Sequence, residues 1–253
     1  MRRFALLALA SLLASTACSS SGPSVRGPSS TPAPTFAVAG PDPARGTQGP
    51  VLGPGLVVAA RSGPFLVFAS PSSLARPMRY RAVNDWGQPL WLPAVAERVA
   101  VGEVWIHVLL PDRPNGSSGW VRARDVDPSS VQDRIVVRLH THTLIHYRDG
   151  HPVARYEIAD GKPSTPTTPG RFFVWARVGY ADTSGPYGNF ALGLSGFSRV
   201  ITDWSGGGRM AIHGTADPSL AGEDVSNGCI RVFNPLMARL IDVPMGATVT
   251  IRP

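Results

Sequence analysis

The chain has 253 residues, 43% of them hydrophobic, enough to bury a core in one or two domains and too apolar for a wholly disordered protein. Its 27 glycines and 25 prolines argue against long helices and for turns between short strands. The formal charge of +7 favours anionic surfaces such as carboxylate-bearing cell wall or lipid head groups, whereas arginines scattered without a basic run or interleaved aromatics argue against nucleic acid.

Residues 1–17 have the form of a signal peptide: Arg2 and Arg3, an apolar run from Phe4 to Leu13, then small residues before a cleavage point. The run is too short for a stable transmembrane helix. Ser15-Thr16-Ala17-Cys18 resembles the lipobox of bacterial lipoproteins, with Ser15 where leucine is usual, which implies lipidation of Cys18 and an exported, membrane-anchored protein facing the cell wall. Secretion with cleavage near Ala17 is the simpler alternative. Residues 18–50 are Ser, Pro, Gly, Thr and Ala with almost no large apolar side chain, a composition that does not fold. At about 3.1 Å per residue such a tether spans on the order of 90 Å.

Residues 51–130 form a first module of short strands at Leu56 to Ala60, Phe65 to Phe68, Leu90 to Leu92, Val104 to Leu109 and Gly119 to Arg122. Asn115-Gly116 is a hairpin-turn signal before the last of them. The stretch from Trp91 to Val126 resembles the Src-homology-3-like barrels that precede bacterial wall-active enzymes. Trp86, Trp91, Trp105 and Trp120 fall in this module, and most of them are expected to fill a small barrel core, the alternative being a stacking surface for sugars.

Residues 131–253 form the second module. Ile135 to Leu139 and Leu144 to Tyr147 read as a hairpin, and Asp149-Gly150 turns the chain into Val153 to Ile158. Gly161 to Gly170 is a proline-stiffened loop leading to a strand from Arg171 to Ala176, and Gly179 to Gly188 reads as a mobile surface loop. Asn234 to Leu240 is the one short helix, with Asn234 as its cap and Pro235 at the first helical position.

Cys229, the only cysteine of this region, stands 16 positions after His213. A thiol attacks a carbonyl carbon only as thiolate, so it needs a base or cation beside it and N–H donors where the oxyanion forms. The Gly228 and Cys229 amides are candidate donors. Polar and glycine neighbours argue against an inert buried thiol. A zinc site from His213, Cys229 and one of Asp217, Glu223 or Asp224 lacks any paired-ligand spacing. His140, His142 and His146 invite a metal assignment but are expected to line a solvated hairpin turn.

Asp149-Gly150, Gly161-Lys162-Pro163, Thr168-Pro169-Gly170-Arg171-Phe172, Pro186-Tyr187-Gly188, Ala191 to Ser195, Ile212-His213-Gly214-Thr215 and Ser226-Asn227-Gly228-Cys229-Ile230-Arg231 together resemble the catalytic domain of the bacterial L,D-transpeptidases. Relatives more often carry histidine at the position of Asn227. The resemblance implies a mainly β fold, a β-sandwich or barrel with little helix. It implies Cys229 as nucleophile, His213 as the thiolate's ion-pair partner or base, a backbone carbonyl near Gly214 orienting the ring, and Ser226, Asn227, Gly228, Gly214 and Tyr187 around the substrate. Arg231 would clamp a stem-peptide carboxylate or form a structural ion pair. Peptidoglycan stem peptides are the implied substrates, 3→3 cross-links the implied product and carbapenem-type β-lactams the implied covalent inhibitors. Neither cofactor nor metal is required, and a monomer is expected. A carboxypeptidase, cross-link hydrolase or protein-to-wall ligase on the same site, or a non-catalytic wall-binding lipoprotein, are the alternatives.

Overall fold

A computed structural model describes residues 55–253 apart from 73, 75, 204 and 205. The expected export signal, the expected tether and Cys18 lie outside the described residues. In the first module the strands are β1 (Leu56–Ala60), β2 (Phe65–Val67), β3 (Met78–Tyr80), β4 (Leu92–Ala100), β5 (Glu103–Leu109), β6 (Ser118–Arg122) and β7 (Val126–Ser130). The second module contains β8 (Asp133–Arg138), β9 (Thr143–Arg148), β10 (His151–Glu157), β11 (Asp160–Gly161), β12 (Gly170–Gly179), β13 (Phe190–Phe197), β14 (Arg209–Thr215), β15 (Asp224–Ser226), β16 (Ile230–Phe233) and β17 (Thr248–Arg252). The only α-helix among the described residues is α1 (Asn234–Met237), beside short 3-10 turns, so the expected mainly β class holds.

The first module is a five-stranded sheet, β6-β5-β4-β1-β7, with β2 and β3 paired beside it. The second is an eight-stranded sheet in the order β10-β9-β8-β17-β12-β13-β14-β16. Its pairs are antiparallel except β8 with β17 and β14 with β16. Asp149 and Gly150 both have positive φ, 51° and 80°, and join β9 to β10 by the tight turn that the Asp-Gly pair predicts.

β12 explains how the two modules hold together. Successive strand side chains point to opposite faces, so an apolar run without alternation needs apolar surroundings on both sides. Phe172 and Val174 enter the core of the eight-stranded sheet, while Phe173, Trp175 and Ala176 enter the core of the first module. β1 does the same with Val57 and Val58. Polar contacts reinforce the junction. Gln88 pairs with β12 like a short strand, its Nε2 donating to the Arg177 carbonyl (2.6 Å) and its Oε1 accepting from the Arg177 amide (3.0 Å). Arg209, lying over the ring of Trp175 at 3.8 Å, donates from Nη2 to the Pro111 carbonyl of the first module at 3.1 Å.

Several expectations need correction. β4 runs to Ala100, well beyond Leu92, because Val101 and Gly102 both take positive φ and make a turn that no Asn-Gly or Asp-Gly pair announces. Asn115 does more than turn the chain: its side chain exchanges two hydrogen bonds with the Phe197 backbone (2.8 and 2.9 Å), docking the β5–β6 connection on β13. Of the four tryptophans only Trp105 is fully buried; Trp86 is exposed, and Trp120 stacks on His107 at 4.7 Å. His146 is buried rather than solvated, with Nε2 2.5 Å from Asp133, which also binds Arg148. Asn234 is the first residue of α1 and makes no capping bond; its side chain reaches sideways into the candidate site.

Candidate active site

β14 and β16 are built so that one face joins the core and the other carries polar groups. Met210 and Ile212 on β14, and Ile230 and Val232 on β16, pack in the core of the second module. The alternate residues Ala211 and His213, and Cys229 and Arg231, therefore share the opposite face. The parallel register pairs Ile212 with Ile230 and His213 with Arg231. Cys229 thus lies beside Ala211 and diagonally next to His213, within side-chain reach across strands about 4.8 Å apart.

His213 is 3% exposed, and its Nδ1 donates to the Gly214 carbonyl at 2.8 Å. That bond fixes the tautomer and leaves Nε2 with a free lone pair, as a base requires. Burial pulls the imidazole down from 6.5 to about 4, a shift that the Gly214 hydrogen bond opposes and the neighbouring Arg231 charge assists. Burial pushes the Cys229 thiol up, partly offset by a backbone hydrogen bond with Ala211 and by Arg231. Both shifts act in the same sense, favouring the neutral thiol and the neutral imidazole.

The segment that carries Cys229 is held by Ser226, which is 1% exposed. Its hydroxyl donates to the Cys229 carbonyl (2.5 Å) and accepts from the Gly228 amide (3.0 Å). The Gly228 amide, expected as an oxyanion donor, is thus already engaged, which leaves the Cys229 amide as the candidate from that pair. Gly228 has φ of 103°, a conformation that disfavours side chains, so glycine here shapes the turn. The loop after Gly161 closes over this segment: the Lys162 amide (3.0 Å) and Thr165 hydroxyl (3.2 Å) both donate to the Ser226 carbonyl, and Thr165 also reaches the Asn227 Oδ1 at 3.5 Å.

Arg231 makes no ion pair among the described residues, and its Nε is buried without a hydrogen-bond partner. The structural ion pair expected as its alternative is not formed. Tyr187 is 42% exposed and sets its ring edge-on to His213 at 5.2 Å while stacking on Tyr180 at 5.5 Å. Tyr180 itself is raised by burial and by the neighbouring Tyr187 and Cys229. It belongs to the site, although nothing in its sequence context set it apart from other loop tyrosines. Asp224 does not approach the cysteine–histidine pair as a metal ligand; it faces His142 and Asp160.

A polar lock holds the loop that carries Tyr187. Asn234 Oδ1 accepts from the Asn189 amide (3.1 Å), and its Nδ2 donates to the Thr183 carbonyl (2.9 Å). A Cβ on Gly188 or Gly214 would lie 2.2 Å from that same oxygen, so glycine at both positions is a matter of space. Asn234→Ala removes both bonds and is expected to cost about 1–3 kcal/mol. Hydrogen exchange at Asn189 and proteolysis between residues 180 and 188 should accelerate, whereas unchanged protection there would mean that the loop is held by other contacts.

Residues 132–251 match the family model described as YkuD, L,D-transpeptidase catalytic domain. The YkuD protein of Bacillus licheniformis is 36% identical over 128 residues, covering 50% of this chain and 70% of that protein. That of Bacillus subtilis is 33% identical over 126 residues, covering 49% and 69%. A crystal structure of an Enterococcus faecium L,D-transpeptidase with a cysteine-to-serine substitution is 28% identical, with a TM-score of 0.38; the match covers 48% of this chain and 50% of that one.

Proposed function

The chain belongs to the family of YkuD-type L,D-transpeptidase catalytic domains, and from that premise we propose that it is a peptidoglycan transpeptidase forming 3→3 cross-links through a Cys229 thioester. The observation that supports the reading is the buried His213, its ring fixed by the Gly214 carbonyl, on the strand whose Ala211 backbone hydrogen-bonds Cys229. His213 Nε2 takes the thiol proton as Sγ attacks the carbonyl of the third stem residue. The Cys229 amide donates to the tetrahedral oxyanion. Collapse to the thioester breaks the amide bond, and the His213 proton leaves on the amine of the terminal D-alanine. The side-chain amine of a neighbouring stem then gives a proton to Nε2 and attacks the thioester, forming the cross-link and returning the thiol. Arg231, with an unpartnered buried nitrogen, suits a stem carboxylate.

The other expectations join this reading. β-Lactams of the carbapenem type would acylate Cys229. The segment ending at Cys18 would export and anchor the protein, the tether would hold it at the wall, and the first module would serve as a Src-homology-3-like unit of a monomeric enzyme. Purified protein incubated with tetrapeptide stems should release D-alanine and yield 3→3 dimers by mass spectrometry. D-alanine release with tripeptide and no dimer would replace transpeptidation by hydrolysis, and an inert protein would overturn the enzymatic reading.

A further inference from the structure

Three side chains from separate segments converge on a point that includes neither Cys229 nor His213. His142 follows a 3-10 turn at Leu139–Thr141 and adopts a left-handed backbone (φ 42°, ψ 47°), with its carbonyl accepting from the Ile158 amide at 2.9 Å. Asp160 and Asp224 are register partners in the parallel pair of β11 and β15, so their carboxylates sit side by side. Two adjacent carboxylates repel, and this pair is not solvated on one side: the Asp160 side chain is only 5% exposed.

His142 Nδ1 lies 3.3 Å from Asp160 Oδ2 and 4.0 Å from Asp224 Oδ1, yet Nδ1 and Asp160 Oδ2 are both buried with no hydrogen-bond partner. Buried polar atoms are rarely left so without a ligand to satisfy them. One imidazole nitrogen and two carboxylate oxygens, all within 4.8 Å of one another, are a donor set for a divalent transition metal. Tetrahedral ligands at about 2.0–2.2 Å from zinc stand roughly 3.3–3.6 Å apart. The first contact already has this spacing, and the half-exposed Asp224 can move to supply the second. Asp224 and His142 also border a cavity of about 520 Å³, which leaves room for a water in the fourth position.

We propose that His142, Asp160 and Asp224 bind one divalent cation of the zinc class, joining the turn after β8 to β11 and β15. A cation there neutralises the paired carboxylates and satisfies both orphaned atoms at once. It also braces the nucleophile segment, because β15 ends at Ser226, whose hydroxyl positions Gly228 and Cys229.

The test uses the full chain, stripped of metal by chelation, as wild type and as Cys229→Ala so that the thiol cannot be the ligand. Titration with Zn²⁺ by calorimetry, and with Co²⁺ by its visible absorption, should show one equivalent bound in both and a metal-dependent rise in Tm. Loss of a group merely hydrogen-bonded to a metal ligand costs about 10–100-fold in affinity, so His142→Gln and Asp160→Asn should each lose at least that. Asp224→Asn, at the most exposed of the three positions, guards against misfolding and should also weaken binding, with an unchanged circular dichroism spectrum. The proposal fails if no stoichiometric binding occurs, if binding survives all three substitutions, or if it disappears in Cys229→Ala, which would place the metal on the cysteine–histidine pair.

Discussion

Cys229→Ala is expected to lower cross-link formation by on the order of 10⁴-fold or more, the scale on which removal of a covalent nucleophile acts. It should also abolish the mass increment that a carbapenem adds to the wild type. Two features of the site sharpen the expectation. Burial raises the thiol and lowers His213, both of which disfavour a preformed ion pair, so the proposed attack would require proton transfer to Nε2 during the reaction. Alkylation of Cys229 by iodoacetamide should accordingly keep rising with pH beyond 9, with no reactive plateau at neutral pH. A plateau below pH 7 would mean a preformed thiolate–imidazolium pair. Cys229→Ser keeps a proton for His213 but supplies a much weaker nucleophile, so its loss should approach that of alanine. An alanine variant that still takes up the carbapenem would place the nucleophile elsewhere.

Acidification should destabilise the wild type relative to His213→Gln. The imidazole titrates near 4 in the folded protein against 6.5 when unfolded, so between these values the unfolded chain binds more protons. Stability tied to the neutral ring is fully present above about pH 6.5 and is lost as pH falls towards 4. The gap corresponds to about 3 kcal/mol for a ring that is 3% exposed. Urea unfolding of both proteins from pH 7.5 to 4 checks this, and other titrating groups, Asp160 among them, cancel in the difference. A constant difference across that range would contradict a neutral buried ring. The same burial places the acid limb of kcat/KM near pH 4, well below that of a solvated histidine.

The local signals that proved most reliable were those in which one residue type meets one backbone need. Asp149-Gly150 fixed a two-residue turn because both positions require positive φ, which these residues accept readily. The Ser226 to Arg231 motif marked a tight turn because Gly228 accepts its positive φ and the Ser226 hydroxyl binds the backbone on either side of it. Where the decisive partner is distant in the chain, local reading failed. Val101-Gly102 gave no turn signal, so most of β4 went unseen. Asn234 looked like a helix cap because a cap and a lateral lock use the same side chain. His146 looked solvated because Asp133, its buried partner, is brought within reach, two register positions away, only by the β8–β9 pairing.

The β-rich class was legible from the residues alone, since strand alternation and turn residues are local properties of residue type, and the same reading offered Cys229 and His213 as a candidate pair. Only the tertiary structure decided what surrounds that pair. The parallel register of β14 and β16 sets His213 against Arg231, burial shifts His213 and Cys229 towards their neutral forms, and Ser226 engages the Gly228 amide. The two cores that share β12, and the convergence of His142, Asp160 and Asp224, likewise depend on segments remote in sequence. Register and burial arise from the packing of the whole chain, and no window of residues encodes them.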